Sequence, residues 1–259
     1  MVYSCAYWAS AKTLEQAQED KLEMICRKLH LRPGMTLLDI GCGWGGLARH
    51  AALHHGTQVT GITVSQEQAH HAQKLCAGLP VSFRVMDYRA LGGRFDRIAS
   101  VGMFEHVGPK NHATYLSTAQ RLLADDGLFL LHTIGADRPN GHTDPWIDHY
   151  IFPGGRLPAA SELARAAERF FVIEDWHNFG ADYDRTLMHW HGRFESAWPR
   201  LQERYGERFR RMWRYYLLSC AGFFRSRQGQ LWQLVLARPQ RPGPYRSIRP
   251  FGQTLTGKP

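Results

Sequence analysis

A glycine-rich turn after an apolar segment is the clearest candidate for a chemical site. Thr36–Ile40 is apolar except for Asp39, and Gly41, Gly43 and Gly46 follow it. Glycine permits a tight turn and lets a ligand approach the backbone closely. Open α/β sheets bind nucleotide-like ligands at the carboxyl ends of their strands. The segment therefore predicts a nucleotide-like ligand at the end of a first strand.

The same glycines fit the GxGxxG spacing of dinucleotide sites, which is the alternative. Against it, Asp39 precedes the glycines, where a carboxylate suits an ammonium group better than a pyrophosphate. No lysine follows, as one would in a phosphate-binding loop. Residues 61–63 and then Asp87 and Tyr88 follow the next two apolar runs. That order favours S-adenosylmethionine as the ligand.

Short apolar runs alternate with amphipathic segments from residue 35 onward. This alternation predicts an α/β fold with a doubly wound, mostly parallel sheet. The predicted strands are 36–40, 58–62, 81–86, 94–101 and 128–133, with helices near 45–55, 65–78 and 111–125.

The alternation breaks at 136–158, a stretch rich in proline, glycine and aromatic residues that predicts a functional cap. A helix near 159–168, a strand at 170–175, helices at 184–204 and 207–221 and a last strand at 229–237 are expected to follow. We predict one catalytic domain over 1–240, with helical and loop cap insertions at about 136–168 and 184–224. A flexible tail is expected over 241–259.

Composition limits the partners and the compartment. The 259 residues carry a formal net charge of +9, which favours anionic partners. The five cysteines form no CxxC pair, which indicates a reduced cytosolic setting. No apolar run reaches the roughly 18 residues of a membrane span, so membrane contact would be peripheral. The histidine pairs at 54–55 and 70–71 are interpreted as solvated, and no metal is expected.

Longer motifs make the sequence similar to the cyclopropane-fatty-acyl-phospholipid synthase family, which includes the mycolic acid methyltransferases. The matching blocks run from residue 3 to about 236. They are Tyr3-Ser4-Cys5-Ala6-Tyr7-Trp8, Leu38-Asp39-Ile40-Gly41-Cys42-Gly43-Trp44-Gly45, Gly61-Ile62-Thr63-Val64-Ser65, Gln68, Phe104-Glu105-His106-Val107-Gly108, His132-Thr133-Ile134-Gly135, Tyr150-Ile151-Phe152-Pro153-Gly154-Gly155, Asn178-Phe179-Gly180, Phe224-Arg225-Ser226-Arg227 and Gln230-Leu231-Trp232-Gln233.

One departure from the family concerns the N-terminus. The common bacterial synthases carry a further domain before the Tyr-Ser-Cys-Ala block, which here begins at Tyr3. The expectation is a catalytic domain alone, as in the mycolate enzymes, or a fragment.

The resemblance implies a class I methyltransferase (Rossmann-like) fold and a cyclopropane-forming reaction. A cis double bond of an unsaturated phospholipid acyl chain would take a methyl group from S-adenosylmethionine, and bound bicarbonate would deprotonate the resulting carbocation. The implied cofactor-binding residues are Tyr3, Ser4, Asp39, Gly41, Gly43, Thr63, Gln68, Asp87 and Tyr88. The implied catalytic residues are Cys5 and Ile134 through backbone groups, Glu105 and His132 as orienting groups, and Tyr183 as a hydrogen-bond donor.

The predicted topology supports two of these assignments independently. Glu105 follows the fourth strand and His132 ends the fifth, so both should lie at the carboxyl edge of the sheet. A carbocation also needs aromatic faces and exclusion of water. The candidates are Tyr7, Trp8, Phe104, Tyr150, Phe152 and Tyr183, of which about half are expected to pack in the core instead.

Arginines alternate with aromatic residues over 204–214 (RYGERFRRMWR). Such a helix can lie on an anionic membrane, or it can pack its apolar stripe on the sheet. The expected partner is phospholipid at the membrane surface, with a cytoplasmic protein bound peripherally to the inner membrane; a homodimer is left open.

Other functions stay open at this stage. The first is a methyltransferase of the same fold that makes a methyl-branched lipid or acts on a small molecule. Nucleic acid is not expected, because no Asn-Pro-Pro-Tyr type motif or RNA-binding module is present. The other is a non-catalytic lipid-binding protein, against which the retained Asp39, Glu105, His132 and Tyr183 argue.

Overall fold

Seven strands form a single sheet in the computed structural model, which describes residues 2–139 and 142–249. The strands are β1 (Thr36–Ile40), β2 (Gln58–Thr63), β3 (Val81–Val85), β4 (Phe95–Val101), β5 (Leu123–Ala136), β6 (Val172–Asn178) and β7 (Gly229–Ala237). Their order is β3-β2-β1-β4-β5-β7-β6. Only β7 runs antiparallel to its neighbours among these strands. The predicted doubly wound, mostly parallel sheet is confirmed.

Two of the predicted strands, β1 and β7, begin and end at the predicted residues. Strand β5 is longer than predicted at both ends, because it pairs with β4 at Leu123 and with β7 as far as Ala136. Gly135 lies within this extension, where a Cβ atom would come 2.1 Å from the Trp232 ring. A glycine at this position lets the indole pack directly on the strand. Gly135 therefore marks a close approach of a side chain to the backbone and not the end of the strand.

The helices are α1 (Leu14–Lys28), α2 (Gly46–His55), α3 (Gln66–Leu75), α4 (His112–Leu122), α5 (Pro145–Tyr150), α6 (Ala160–Ala167) and α7 (Ala181–Arg225). Helices α1 and α5 were not predicted. The inward face of α1 includes Lys21 and Lys28, both fully buried, so charged residues interrupt its apolar periodicity. Thr13 begins α1 by accepting a hydrogen bond from the Gln16 amide. None of the helices in the described part of the chain is long and apolar enough to cross a membrane.

The two faces of the sheet carry separate apolar cores, as the alternation of side chains along each strand requires. Leu37 and Val235 face α1, α2 and α3. Leu38 and Leu234 face α4 and α6 on the opposite side. Burying each such side chain stabilises the fold by about 1.5–3 kcal/mol.

A third apolar cluster lies within the cap and is formed mainly by α7. This helix breaks at Gly206, whose φ is 68°, between the two predicted helices. The two arms then pack on each other, with the Phe194 ring 6.3 Å from Phe209 and 6.4 Å from Trp213 between centroids. Residues 140 and 141 of the predicted cap lie outside the described residues, and the domain limits stay predictions.

The described part of the predicted tail, 241–249, contacts the body of the protein. The Tyr245 hydroxyl donates to the Lys28 carbonyl at 3.1 Å, and its ring stacks on His30. Arg249 makes a two-pronged ion pair with Asp175. Lys28 Nζ lies 3.5 Å from Asp175 Oδ2, and burial lowers the pKa of Lys28 to about 7. The rest of the tail, 250–259, lies outside the described residues.

We expect Asp175→Ala to destabilise the protein by about 3–5 kcal/mol, because it leaves the buried Lys28 and Arg249 without a counter-charge. Urea unfolding at pH 6, below the pKa of Lys28, measures the change. The control is Arg225→Ala, which removes the exposed ion pair with Asp184 and should shift the midpoint little. An Asp175→Ala midpoint equal to that of the wild type would contradict the prediction.

Candidate active site

A cavity of about 1490 Å³ opens at the carboxyl edge of the sheet, beneath the cap. Every site residue predicted from the sequence lines it except Cys5. Those residues are Tyr3, Ser4, Asp39, Gly41, Gly43, Thr63, Gln68, Asp87, Tyr88, Glu105, His132, Ile134 and Tyr183. Residues distant in sequence meet here because parallel strands end at one edge.

The glycine turn after β1 is held against the end of β2. The amides of Gly41 and Cys42 both donate to the Ile62 carbonyl, at 2.9 and 3.0 Å. Gly41 has φ 79° and Gly43 has φ 52°, a region that favours glycine. Nothing lies within 4 Å of where a Cβ of Gly43 would be, so this turn leaves its backbone open to the cavity.

Asp39 lies at the floor of this end of the cavity and is 2% exposed. Its Oδ2 has no hydrogen-bond partner among the described residues. Burial raises the pKa of Asp39 to about 7, and the nearby Lys21 opposes that shift. A buried carboxylate oxygen without a partner costs free energy, which a cationic ligand group would recover.

The other walls of this end come from the segments after β2 and β3. Thr63 Oγ1 donates to Gln68 Oε1 at 2.8 Å, and Ser65 accepts from the Gln68 amide to begin α3. Asp87 accepts from the backbone amide and side chain of Arg89, which lowers the pKa of Asp87. These contacts fix the positions of Gln68 and Asp87 in the wall of the cavity.

The N-terminal segment covers the cavity with the help of α1. Lys21 Nζ donates to Ser4 Oγ at 2.9 Å, and burial lowers the pKa of Lys21 to about 8. Tyr3 stacks on Trp190 and shares a 2.9 Å hydrogen bond with the Tyr216 hydroxyl. Lys21 and Tyr216 were not predicted as site residues. A lysine inside a helical segment gives no signal of a site, because surface lysines follow the same pattern.

Glu105 lines the cavity from a short 3-10 turn after β4. The Ile134 amide donates to its Oε1 at 2.7 Å. Its Oε2 is buried and has no partner in the described parts of the chain. Burial raises the pKa of Glu105 to about 7. One oxygen is therefore fixed, and the other is left for a ligand.

His132 lies near Glu105 on β5 and is 1% exposed. Gln233 Nε2 lies 3.2 Å from its Nδ1, and with the amide donating, the ring proton is on Nε2. That Nε2 has no partner within residues 2–139 and 142–249. Burial holds the pKa of His132 well below its ordinary value, so the ring is neutral. The arrangement offers one N–H donor to a small ligand.

The remaining predicted catalytic residues differ in their access to the cavity. Tyr183 lines it, stacks on Phe224 and has a pKa raised well above its ordinary value by burial. The Ile134 amide already donates its hydrogen bond to Glu105 Oε1. Cys5 lies behind the wall, fully buried, in a cluster that Ile134 and Tyr183 also contact.

Half of the six aromatic candidates pack in the core, as expected, because Tyr7, Trp8 and Phe104 are buried and do not line the cavity. Phe152 and Tyr183 line it. The expectation for Tyr150 was wrong, because its side chain is 45% exposed and outside the lining. The aromatic walls instead include Trp44, Tyr88, Tyr215, Tyr216, Phe223 and Phe224.

Comparison with known proteins identifies the family to which the chain belongs. The profile of the family described as mycolic acid cyclopropane synthetase matches residues 1–234. The cyclopropane-fatty-acyl-phospholipid synthase of Escherichia coli K12 is 57% identical over 238 residues, which are 92% of this chain and 62% of that protein. The chain thus spans about three fifths of the length of this relative.

Solved structures support the same relationship. The cyclopropane synthase MmaA2 from Mycobacterium tuberculosis superposes with a TM-score of 0.85 at 32% identity, over 92% of this chain and 90% of that one. CmaA1, solved in complex with SAH and CTAB, gives 0.85 at 32% identity over 91% and 89%. The sheet order is that of class I methyltransferases, as predicted. The chain belongs to the mycolic acid cyclopropane synthetase family.

Proposed function

We propose that this chain transfers a methyl(ene) group from S-adenosylmethionine to a cis double bond of an unsaturated phospholipid acyl chain, forming a cyclopropane. The observation that carries the proposal is a single cavity that joins the glycine turn to an apolar end through Glu105 and His132. The name of the Escherichia coli relative supports this choice of reaction.

The glycine-turn end fits the cofactor. Asp39 would accept from its ammonium group with the oxygen that has no partner among the described residues. Gly41 and Gly43 would let the ligand contact the backbone, with Thr63, Gln68, Asp87, Tyr88, Tyr3 and Ser4 as the surrounding walls. When bound, the cofactor supplies an electrophilic methyl group on its sulfonium.

The cap end fits the acyl chain. Its apolar wall residues include Ile147, Phe152, Leu187, Tyr216 and Phe223. An alkene that attacked the sulfonium methyl group would break its bond to sulfur, release the neutral thioether and leave a carbocation on the acyl chain, which water would trap. The cap residues exclude water from that step, and aromatic faces such as Tyr183 stabilise the cation by about 0.5–2 kcal/mol each.

A small anion fits between the two ends. Glu105 Oε2 and His132 Nε2 are both buried without partners in the described chain, at a cost of about 1–3 kcal/mol each if left so. We propose bicarbonate here, as the acceptor of the proton that the added methyl group loses. His132 would donate to it, Tyr183 would donate from its hydroxyl, and Glu105 would orient it. The side chain of Cys5 would not contact the bicarbonate. Ile134 fixes Glu105 through its backbone amide.

The acyl chains of cellular phospholipids test the proposal. Cells that make unsaturated phospholipids would express the chain, and mass spectrometry of their lipids should show acyl chains heavier by one CH₂ unit. Fragmentation separates a cyclopropane from a methyl branch. The control is Glu105→Gln at equal expression, and cells with this variant should contain almost no modified acyl chains. Adenosylmethionine binding without any modified lipid would overturn the proposal and favour a non-catalytic lipid-binding protein.

The second arm of α7 is a surface suited to an anionic membrane. Arg204, Arg208 and Arg211 are exposed, and no acidic residue of the described chain forms an ion pair with them. By contrast, Arg210 and Arg214 pair with Glu195. Tyr215 is 55% exposed and also lines the cavity, so the cavity reaches the surface beside this arm. We propose peripheral binding here, on the inner membrane.

We expect the protein to bind vesicles rich in anionic phospholipid and to release them as salt rises, because charge attraction is screened within about 10 Å at 0.1 M salt. Neutralising Arg208 and Arg211 to glutamine should weaken binding about 30-fold, at about 1 kcal/mol per basic residue. Cosedimentation with vesicles at low and high salt measures this binding. The control replaces two exposed arginines outside α7, Arg32 and Arg84. Equal binding to neutral and anionic vesicles would contradict this role.

A further inference from the structure

A second cluster of chemically competent side chains lies away from the cavity, between α1 and α2. Cys26 on α1 and His50 and His55 on α2 each offer one ligand atom, and these atoms all lie within 4.8 Å of one another. None of the three lines the active-site cavity. The sequence interpretation of His55 as solvated was wrong, because α1 brings a thiol and a carboxylate to it; His54 is exposed, as expected.

A carboxylate contacts both histidines of the cluster. Glu23 stands one turn before Cys26, and its Oε2 lies 3.2 Å from His50 Nε2 and 3.0 Å from His55 Nε2. Its Oε1 accepts from Arg27 at 2.6 Å. The two imidazole rings and the Arg27 guanidinium therefore converge on one carboxylate.

We propose that Cys26, His50 and His55, with Glu23 as their carboxylate partner, form a site for a divalent transition-metal ion of the zinc type. Thiolate, imidazole and carboxylate are the donors that zinc takes in proteins. Bond lengths of about 2.0–2.3 Å place neighbouring ligands about 3.3–3.6 Å apart in a tetrahedral site. Ligand atoms already within 4.8 Å reach that spacing with small side-chain rotations.

The site is reachable and is held by two helices. The side chains of His50 and His55 are 13% and 16% exposed, so an ion can enter from solvent while Cys26 closes the inner side. Helix α1 carries Lys21 and α2 begins directly after the glycine turn. A bound ion would therefore tie together two elements that wall the cofactor end of the cavity, and it would raise thermal stability.

Calorimetric titration with ZnCl₂ tests the site, after chelator treatment and dialysis of the full chain. We expect one equivalent to bind and the unfolding temperature to rise. Cys26→Ser and His55→Gln should each weaken binding by at least about 10–100-fold, the range known for loss of even an outer partner. The matched controls are Cys76→Ser, another buried thiol, and His54→Gln, the exposed neighbour; both should bind zinc as the wild type does.

A measurement on the wild type keeps the proposal testable if a variant fails to fold. X-ray absorption at the zinc edge of the one-to-one complex should show one sulfur and two imidazole nitrogens. Zinc that fails to bind, that binds equally to Cys26→Ser and wild type, or that shows no sulfur neighbour would overturn the site and leave an ordinary histidine–glutamate hydrogen-bond cluster. These outcomes do not depend on the lipid reaction.

Discussion

Replacing Glu105 with glutamine is expected to remove most ring formation and to leave cofactor binding intact. Glutamine keeps the size of the side chain, and its oxygen can still accept from the Ile134 amide. The second position becomes an amide NH₂, which cannot accept as a carboxylate oxygen does. The proposed bicarbonate would then be misplaced. The loss of a positioned general base lowers a rate by about 10²–10⁴-fold.

The measurement is the cyclopropanation rate with phospholipid vesicles at saturating cofactor. Burial raises the pKa of Glu105 to about 7, so its carboxylate form is lost as the pH falls below neutrality. The wild-type rate should fall with it, and the residual rate of Glu105→Gln should lack this dependence. Glu67→Gln, on the exposed start of α3, is the control. A folded, cofactor-saturated Glu105→Gln with the wild-type rate would refute the assignment.

The cofactor end should be equally sensitive to single substitutions. Asp39→Ala removes the buried carboxylate, and losing one partner of a buried charge pair costs about 2–5 kcal/mol, or at least about 30-fold in affinity. Gly43→Val forces a branched side chain to φ 52° and places it in the cavity. Calorimetric titration with S-adenosylmethionine should show both losses.

A matched control separates backbone strain from the loss of the ligand site. Gly78 has φ 81°, with nothing within 4 Å of a Cβ, and it lies outside the cavity. Gly78→Val should therefore cost stability as Gly43→Val does, yet bind the cofactor normally. If folded Gly43→Val and Asp39→Ala both kept the wild-type affinity, the cofactor would bind elsewhere.

The meeting of Asp39, Glu105 and His132 in one cavity was predictable from their places in the sequence. Each follows or ends an apolar run, and parallel topology brings such positions together. The prediction that His132 ends its strand was wrong, because β5 continues to Ala136; His132 instead lies level with Val101 at the end of β4. Strand β1 was predicted to the residue for a related reason, since a buried strand bounded by a glycine turn has a sharp signal.

What the sequence concealed depends on contacts between distant segments. Helix α1 was missed because buried Lys21 and Lys28 stand where apolar residues would mark its inward face. The partners that make them tolerable, Ser4 and Asp175, are far away in the chain. Trp8 was expected near the substrate, but its indole donates to Thr186 instead. No local pattern encodes such pairings.

The separate apolar cluster in the cap bears on how substrate preference can change during evolution. Phe194, Trp198 and Leu217 pack among themselves, apart from the two cores on the faces of the sheet. Substitutions at sites without shared neighbours have nearly additive costs. A lineage could therefore remodel the cap for longer, shorter or differently unsaturated acyl chains while the sheet and its glycine turn retain their full stability.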